Sequence, residues 1–259
     1  MVQLFKKLIF LRRNRAPIQS RLDAVLRPLH YEKCMGDRRY VGLLIDRSHP
    51  VFLKETDLAP ADVLFCAVAD DNLVHGLISY GSSGEYVHVA VYTGAGRVVE
   101  AVQEGVVESS LDEVIDRYPY VAVCRCPGTG SSGIPGLADK VVEFCQRHVK
   151  AETPYNGIGA LKSPALELRE LRCQRKHYSC SDHVPRSKPK DAFFCSELVI
   201  EAFIYGGYIP EGQMHPAGYS PSALSEDAIF NLQGFLGCPE MAEHILRHDP
   251  YLSGGISYR

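Results

Sequence analysis

The sequence predicts an α+β domain in which strands come first and helices after. Three observations lead there. Between Arg39 and Cys126, short runs rich in β-branched and aromatic residues alternate with Gly, Pro, Asp and Ser clusters. After the Gly/Ser-rich stretch 128–136 the apolar residues return at helical spacing. Further on, CSELVIEAFIY (195–205) is apolar on nearly every side, the pattern of a helix buried in a core. Strands and helices segregated along the chain, not alternating, mark this class.

Residues 1–30 read as a basic N-terminal helical arm and residues 31–259 as one domain. In the arm, Leu4, Phe5, Leu8, Ile9 and Leu11 gather near one helical face, with Lys6, Lys7, Arg12 and Arg13 elsewhere. Such a segment suits either packing on its own domain or peripheral membrane contact through residues 1–15. A second helix is expected to start at Ser20 as N-cap and stop near Pro28. Strands are expected at 40–45, 62–68, 86–92, 97–102 and 120–126, arranged as a mostly antiparallel meander. A helix follows from Leu137 to about residue 150. Ser163 and Pro164 pair an N-cap with a Pro at the first helical position, which predicts a helix through Leu166, Leu168 and Leu171. Residues 173–192 are polar, basic and Pro-containing, hence a loop, and the helix from Cys195 should stop at Gly206-Gly207.

With 46% apolar and 23% charged residues over 259 positions, the composition is that of a globular protein. No apolar run approaches the roughly 18 to 20 residues of a membrane-spanning helix. The formal charge of −3 divides unevenly, an arm (residues 1–15) of +5 on a body of −8. An acidic body argues against nucleic-acid binding. Nine scattered cysteines, mostly in apolar surroundings, read as reduced thiols. After Lys7 only Leu8 to Leu11 precede Arg12, too short an apolar core for a secretory signal, so a cytoplasmic location is expected.

Cys195 opens the buried helix, where the partial positive charge of a helix N-terminus favours thiolate over thiol. The hairpin YVHVAVYTGAGRVVEA (86–101) supplies partners. Val87, Val89 and Val91 share one strand face, so His88 projects from the other with Ala90 and Tyr92. A three-residue turn at Gly94, Ala95 and Gly96 sets Thr93 opposite Arg97 and brings Glu100 to the face of His88, as a diagonal neighbour about 7 to 8 Å away at Cα. A two-residue loop that opposed Thr93 to Gly96 would turn Glu100 away. A carboxylate so placed can hold an imidazole in one tautomer.

In order, LAPADVLF (58–65), the hairpin 86–101, GVVESSLDE (105–113), PYN (154–156), FFCSELVIEAF (193–203) and YSPSAL (219–224) resemble the permuted papain-fold cysteine hydrolases of the NlpC type, in particular the YiiX/YebB-like branch. The resemblance spans about residues 58–228. It implies a circularly permuted papain-like α+β fold, an antiparallel sheet or partial barrel packed on a central cysteine-bearing helix, with that helix after the strands. It also implies Cys195 as nucleophile, His88 as general base and then acid, and Glu100 as the group orienting the imidazole. Tyr155 matches a family tyrosine that helps stabilise an oxyanion together with the Cys195 N–H. Asp62, in the opening strand motif, is expected to serve a turn. The arm and the stretch 173–192 have no counterpart in the pattern. The related lecithin:retinol acyltransferase branch carries a second histidine where this chain has Glu100, which leans toward hydrolysis.

The reaction expected is cleavage of an amide or ester, in a small peptide, amide or acyl substrate, through a covalent acyl-enzyme and without a cofactor or metal. Two alternatives stand beside it: a thiol acyltransferase acting on a lipid or thioester, and a non-catalytic binding module of the same fold. Cys173, His177, Cys180 and His183 could ligate zinc, but they are crowded into a run shorter than usual structural zinc sites.

Overall fold

A computed structural model of the chain describes residues 49–67, 85–131, 133–160, 191–227 and 229–252. The expected arm 1–30, the strand 40–45, the helix after Ser163 and the four zinc-ligand candidates lie outside the described residues. Six strands make one sheet: β1 (Val63–Ala67), β2 (Tyr86–Gly94), β3 (Arg97–Val102), β4 (Gly105–Ser110), β5 (Tyr120–Arg125) and β6 (Asn231–Gly237), in spatial order β4-β3-β2-β1-β5-β6. Every neighbouring pair is antiparallel. Helices among the described residues include α1 (Leu111–Arg117), α2 (Leu137–Lys150), α3 (Cys195–Tyr205), α4 (Pro221–Ser225) and α5 (Ala242–His248).

Strand alternation sorts the apolar residues onto two faces. Phe65, Val89, Val91, Val99 and Ala122 share a core with Leu137, Val141 and Phe144 of α2 and with Leu198, Val199 and Phe203 of α3. Leu64, Ala90, Tyr92, Val98, Val121 and Val123 pack on the opposite side with Leu111 and Val114 of α1. With helices on both sides, all five residues of the central strand β1 are buried. This matches the apolar run of that stretch and the predicted α+β character. β4, β6, α1, α4 and α5 were not anticipated as elements. β4 is half polar and β6 carries Gly234 and Gly237, so neither presents a clean alternating pattern.

The β2–β3 hairpin has the expected register, with Ala90 opposite Glu100 and Tyr92 opposite Val98. Its turn differs. Gly94, not Thr93, faces Arg97, and Thr93 is the extra residue of a bulge. The loop proper is the pair Ala95-Gly96, both at positive φ (50° and 68°), as a tight hairpin loop requires. The bulge absorbs one residue and so preserves the parity that puts His88 and Glu100 on one face.

The hairpin ladder ends at the Ala90–Glu100 pair, while β3 continues with β4 to Val102–Gly105 and β2 continues with β1 to Ala67–Tyr86. The two strands therefore part at one end of the sheet. The stretch 153–156 is anchored beside that end, with Val106 N–H donating to Thr153 O at 2.8 Å. Gly105, at φ +122°, comes so close that a Cβ would stand 2.8 Å from Thr153 O, which only glycine avoids. The same stretch grips the lead into α3: Phe193 N–H donates to Pro154 O (3.1 Å) and Asn156 N–H to Phe193 O (2.9 Å). Cys195 is thus delivered to the sheet end nearest His88.

Candidate active site

Cys195 is the first residue of α3, as the sequence predicts. Phe194 holds the N-cap position, and its N–H donates to Glu197 Oε2 (3.4 Å), a carboxylate that also accepts from Asn156 Nδ2 (3.3 Å). The first turn of the helix is thereby tied to the PYN stretch. His88 lies on β2 directly opposite Cys66 of β1. Its Nε2 meets Glu100 Oε2 at 2.8 Å, which leaves Nδ1 for the thiol, and the imidazole makes a side-chain hydrogen bond with Cys195. The structure therefore brings Cys195, His88 and Glu100 into one contiguous set. Access is graded along it: Glu100 is fully buried, whereas His88 and Cys195 keep 8% and 7% exposure.

Burial alone would strip the proton from His88. The Cys195 and Glu100 hydrogen bonds and their negative charge outweigh it and raise its pKa to about 9, so the ring is an imidazolium at neutral pH. For Glu100, burial opposes ionisation, but the His88 contact and the donors Ser109 and Arg117 bring its pKa down to about 2. Glu100 Oε1 accepts from Ser109 Oγ at 2.6 Å and from Arg117 Nη2. Tyr118, just past α1, stacks its ring over the His88 ring, with centroids 6.0 Å apart and planes within 11°.

Tyr155 is half-buried, paired with Phe193 in an isolated bridge. Burial first, and the nearby Cys195 second, push its phenol up to about 12, so it remains an O–H donor across the neutral range. Asp62 takes the turn role expected of it: its Oδ2 accepts from Ala59 N–H (2.8 Å), and its two oxygens bind Arg125 at 2.6 and 2.7 Å.

Sequence reasoning missed Ser109, Arg117, Tyr118, Asn156 and Glu197. A usable signal existed for one of them, Arg117. Ser110-Leu-Asp-Glu113 spells a capping box and does cap α1 here, which places Arg117 in the last turn of a helix that starts where β4 ends. Burial raises the thiol pKa of Cys66 and Cys124, and pushes those of Cys126 and Cys145 up to about 12. These four are held as thiols. Among the described residues no group of three or more His, Cys, Asp or Glu side chains forms a metal site, and no helix is long and apolar enough to cross a membrane.

No family model matches the chain. Among curated proteins, the probable lipoprotein peptidase YaeF of Escherichia coli (strain K12) is 26% identical over 196 residues, covering 69% of this chain and 67% of that protein. Among solved structures, the metalloprotein YiiX of Escherichia coli O157:H7 aligns with a TM-score of 0.46 and 14% identity over 70% of this chain and 99% of its own. The curated relative bears out the resemblance to the YiiX/YebB-like branch.

Proposed function

From that kinship, we propose that this chain is a cysteine hydrolase that cleaves an amide or ester bond through a covalent acyl-enzyme, on a circularly permuted papain-like fold. The observation that carries the reading is the His88 imidazole set between the Cys195 thiol at a helix N-terminus and the buried Glu100 carboxylate. A cationic ring beside the sulfur and the partial positive charge of the helix start both favour negative charge on sulfur.

In this mechanism Cys195 Sγ attacks the carbonyl carbon and the carbonyl electron pair moves onto oxygen. The Cys195 N–H and the Tyr155 hydroxyl are the donors offered to that oxyanion. The proton on His88 passes to the leaving amine or alcohol as the C–N or C–O bond breaks, leaving a thioester. His88, now neutral, takes a proton from water, whose oxygen attacks the thioester; the C–S bond breaks, releasing the acid and returning the Cys195 thiolate beside the His88 imidazolium. Glu100 holds the ring in orientation throughout, itself fixed on Oε1 by Ser109 and Arg117.

Brief iodoacetamide treatment of the folded chain at pH 6, followed by peptide mapping, tests the nucleophile. Cys195 should label first. Faster labelling of Cys173 or Cys180 with Cys195 inert would remove the basis of the triad. Electrophiles bearing peptide or acyl recognition groups, competed against one another for the same thiol, then separate peptide from acyl substrates.

A further inference from the structure

One matched motif, YSPSAL (219–224), contributes nothing to the chemistry above, yet it touches the chain within two residues of each half of the reacting pair. Ser222 Oγ donates to Tyr86 O at 2.8 Å and accepts from Tyr86 N–H at 3.2 Å, using its single hydroxyl on both main-chain groups of one residue. Tyr86 lies two positions before His88, where the β1–β2 ladder shifts by one residue. On the other side, Ser196, the residue after Cys195, donates its hydroxyl to Tyr219 O at 2.5 Å.

The segment between these tethers is itself fixed. Ser220 Oγ accepts from Ala223 N–H (3.1 Å) and caps α4, and Ser225 Oγ donates to Ser222 O (2.8 Å). Tyr251 OH donates to Ser225 O at 2.7 Å. Ser196, Ser220, Ser222 and Ser225 are all buried, so these bonds do not compete with bulk water. Apart from the His88–Cys195 hydrogen bond itself, β2 and α3 meet through apolar packing, which is non-directional. Hydrogen bonds add direction, and catalytic groups need placement to within about 0.5 Å.

We propose that Tyr219–Ser225 is a positioning clamp that sets how the His88 imidazole meets the Cys195 thiol, with Ser222 and Ser196 as its two positioning residues. The clamp rests on the hydrolase reading for its consequence, and its test is arranged to fail separately from that reading. The rate of Cys195 alkylation by iodoacetamide is measured between pH 5 and 10 in the full-length chain and in Ser222→Ala, Ser222→Thr and Ser196→Ala, with urea unfolding to report the fold.

In Ser222→Ala and Ser196→Ala, alkylation at pH 6 should fall about tenfold, the effect of a one-unit displacement of the profile, and should converge with the parent chain near pH 10. Ser222→Thr keeps the hydroxyl and should restore the parent profile. A loss uniform across the pH range, or not rescued by Thr, marks Ser222 as a packing residue and overturns the clamp. So does an unchanged profile in both Ala variants. If Ser222→Ala does not fold, Ser196→Ala, which cuts the opposite tether, decides alone. Slow alkylation of Cys195 in the parent chain at pH 6 would instead refute the hydrolase reading.

Discussion

Glu100 has two carboxylate oxygens and divides their duties: one meets His88, the other is taken by Ser109 and Arg117. Its negative charge is therefore fixed in place and kept at the ring. The folded-state pKa of His88 is raised to about 9, so the stabilisation from this pair is complete below the ordinary histidine value and is lost as pH rises through about 9. Glu100, lowered to about 2, contributes above its ordinary value and loses that contribution as pH falls through about 2. Hydrolysis needs the His88 proton for the leaving group, so kcat/KM should decline as pH rises through about 9. In Glu100→Gln the ring loses its anionic partner. The basic limb should move down toward about 6.5, and the rate at pH 7 should fall about fourfold through lost protonation of the ring. A pH–rate profile of that variant still breaking near 9 would mean that Glu100 is not what holds the proton.

At the scale of elements, the hairpin decides whether the triad exists, and its parity rests on the bulge at Thr93. Ala95, exposed in the loop, adopts φ 50°, where an L side chain is strained and glycine is not. Ala95→Gly should therefore stabilise the protein by about 0.5–1 kcal/mol, read as a higher urea midpoint, with alkylation of Cys195 unchanged. Helix α3 is held by the opposite kind of force. Phe203 is fully buried, with its ring 5.1 Å from that of Phe230 and 6.2 Å from that of Tyr208, both edge-on. Phe203→Ala should cost about 3–5 kcal/mol through lost transfer and an unfilled cavity, measured by denaturant unfolding. A loss near zero would mean that the helix is not packed as described.

Across the whole molecule, the chain after α5 closes the core on an ionisable group. Asp249 is fully buried; its Oδ2 accepts from Tyr86 OH at 2.5 Å and its Oδ1 from Tyr251 N–H at 2.9 Å. Burial outweighs these bonds and raises its pKa to about 6. A raised carboxyl favours the folded state while protonated, so its contribution is complete below the ordinary aspartate value and is lost as pH rises through about 6. Urea midpoints should therefore drop by an Asp249-dependent amount between about pH 4 and 7, and Asp249→Asn should flatten that part of the profile. An identical pH dependence in the variant would place the titration elsewhere.

Much of this was legible in local pattern. Runs of β-branched and aromatic residues located β1, β2, β3 and β5, helical spacing located α2 and α3, and the even separation of His88 and Glu100 together with a turn of the right parity put them on one face. The placement of Cys195 at a helix start was equally local. Local pattern thus carries the α+β class, the register of the hairpin strands and the residues able to form the set. The tertiary structure decided which groups finish it. Ser109, Arg117 and Tyr118 reach Glu100 and His88 through the return of β4 and α1, and Ser222 reaches Tyr86 across 136 positions. Such contacts depend on how strands part and helices dock, and no periodicity in a single stretch of chain encodes the distance between two stretches far apart along it.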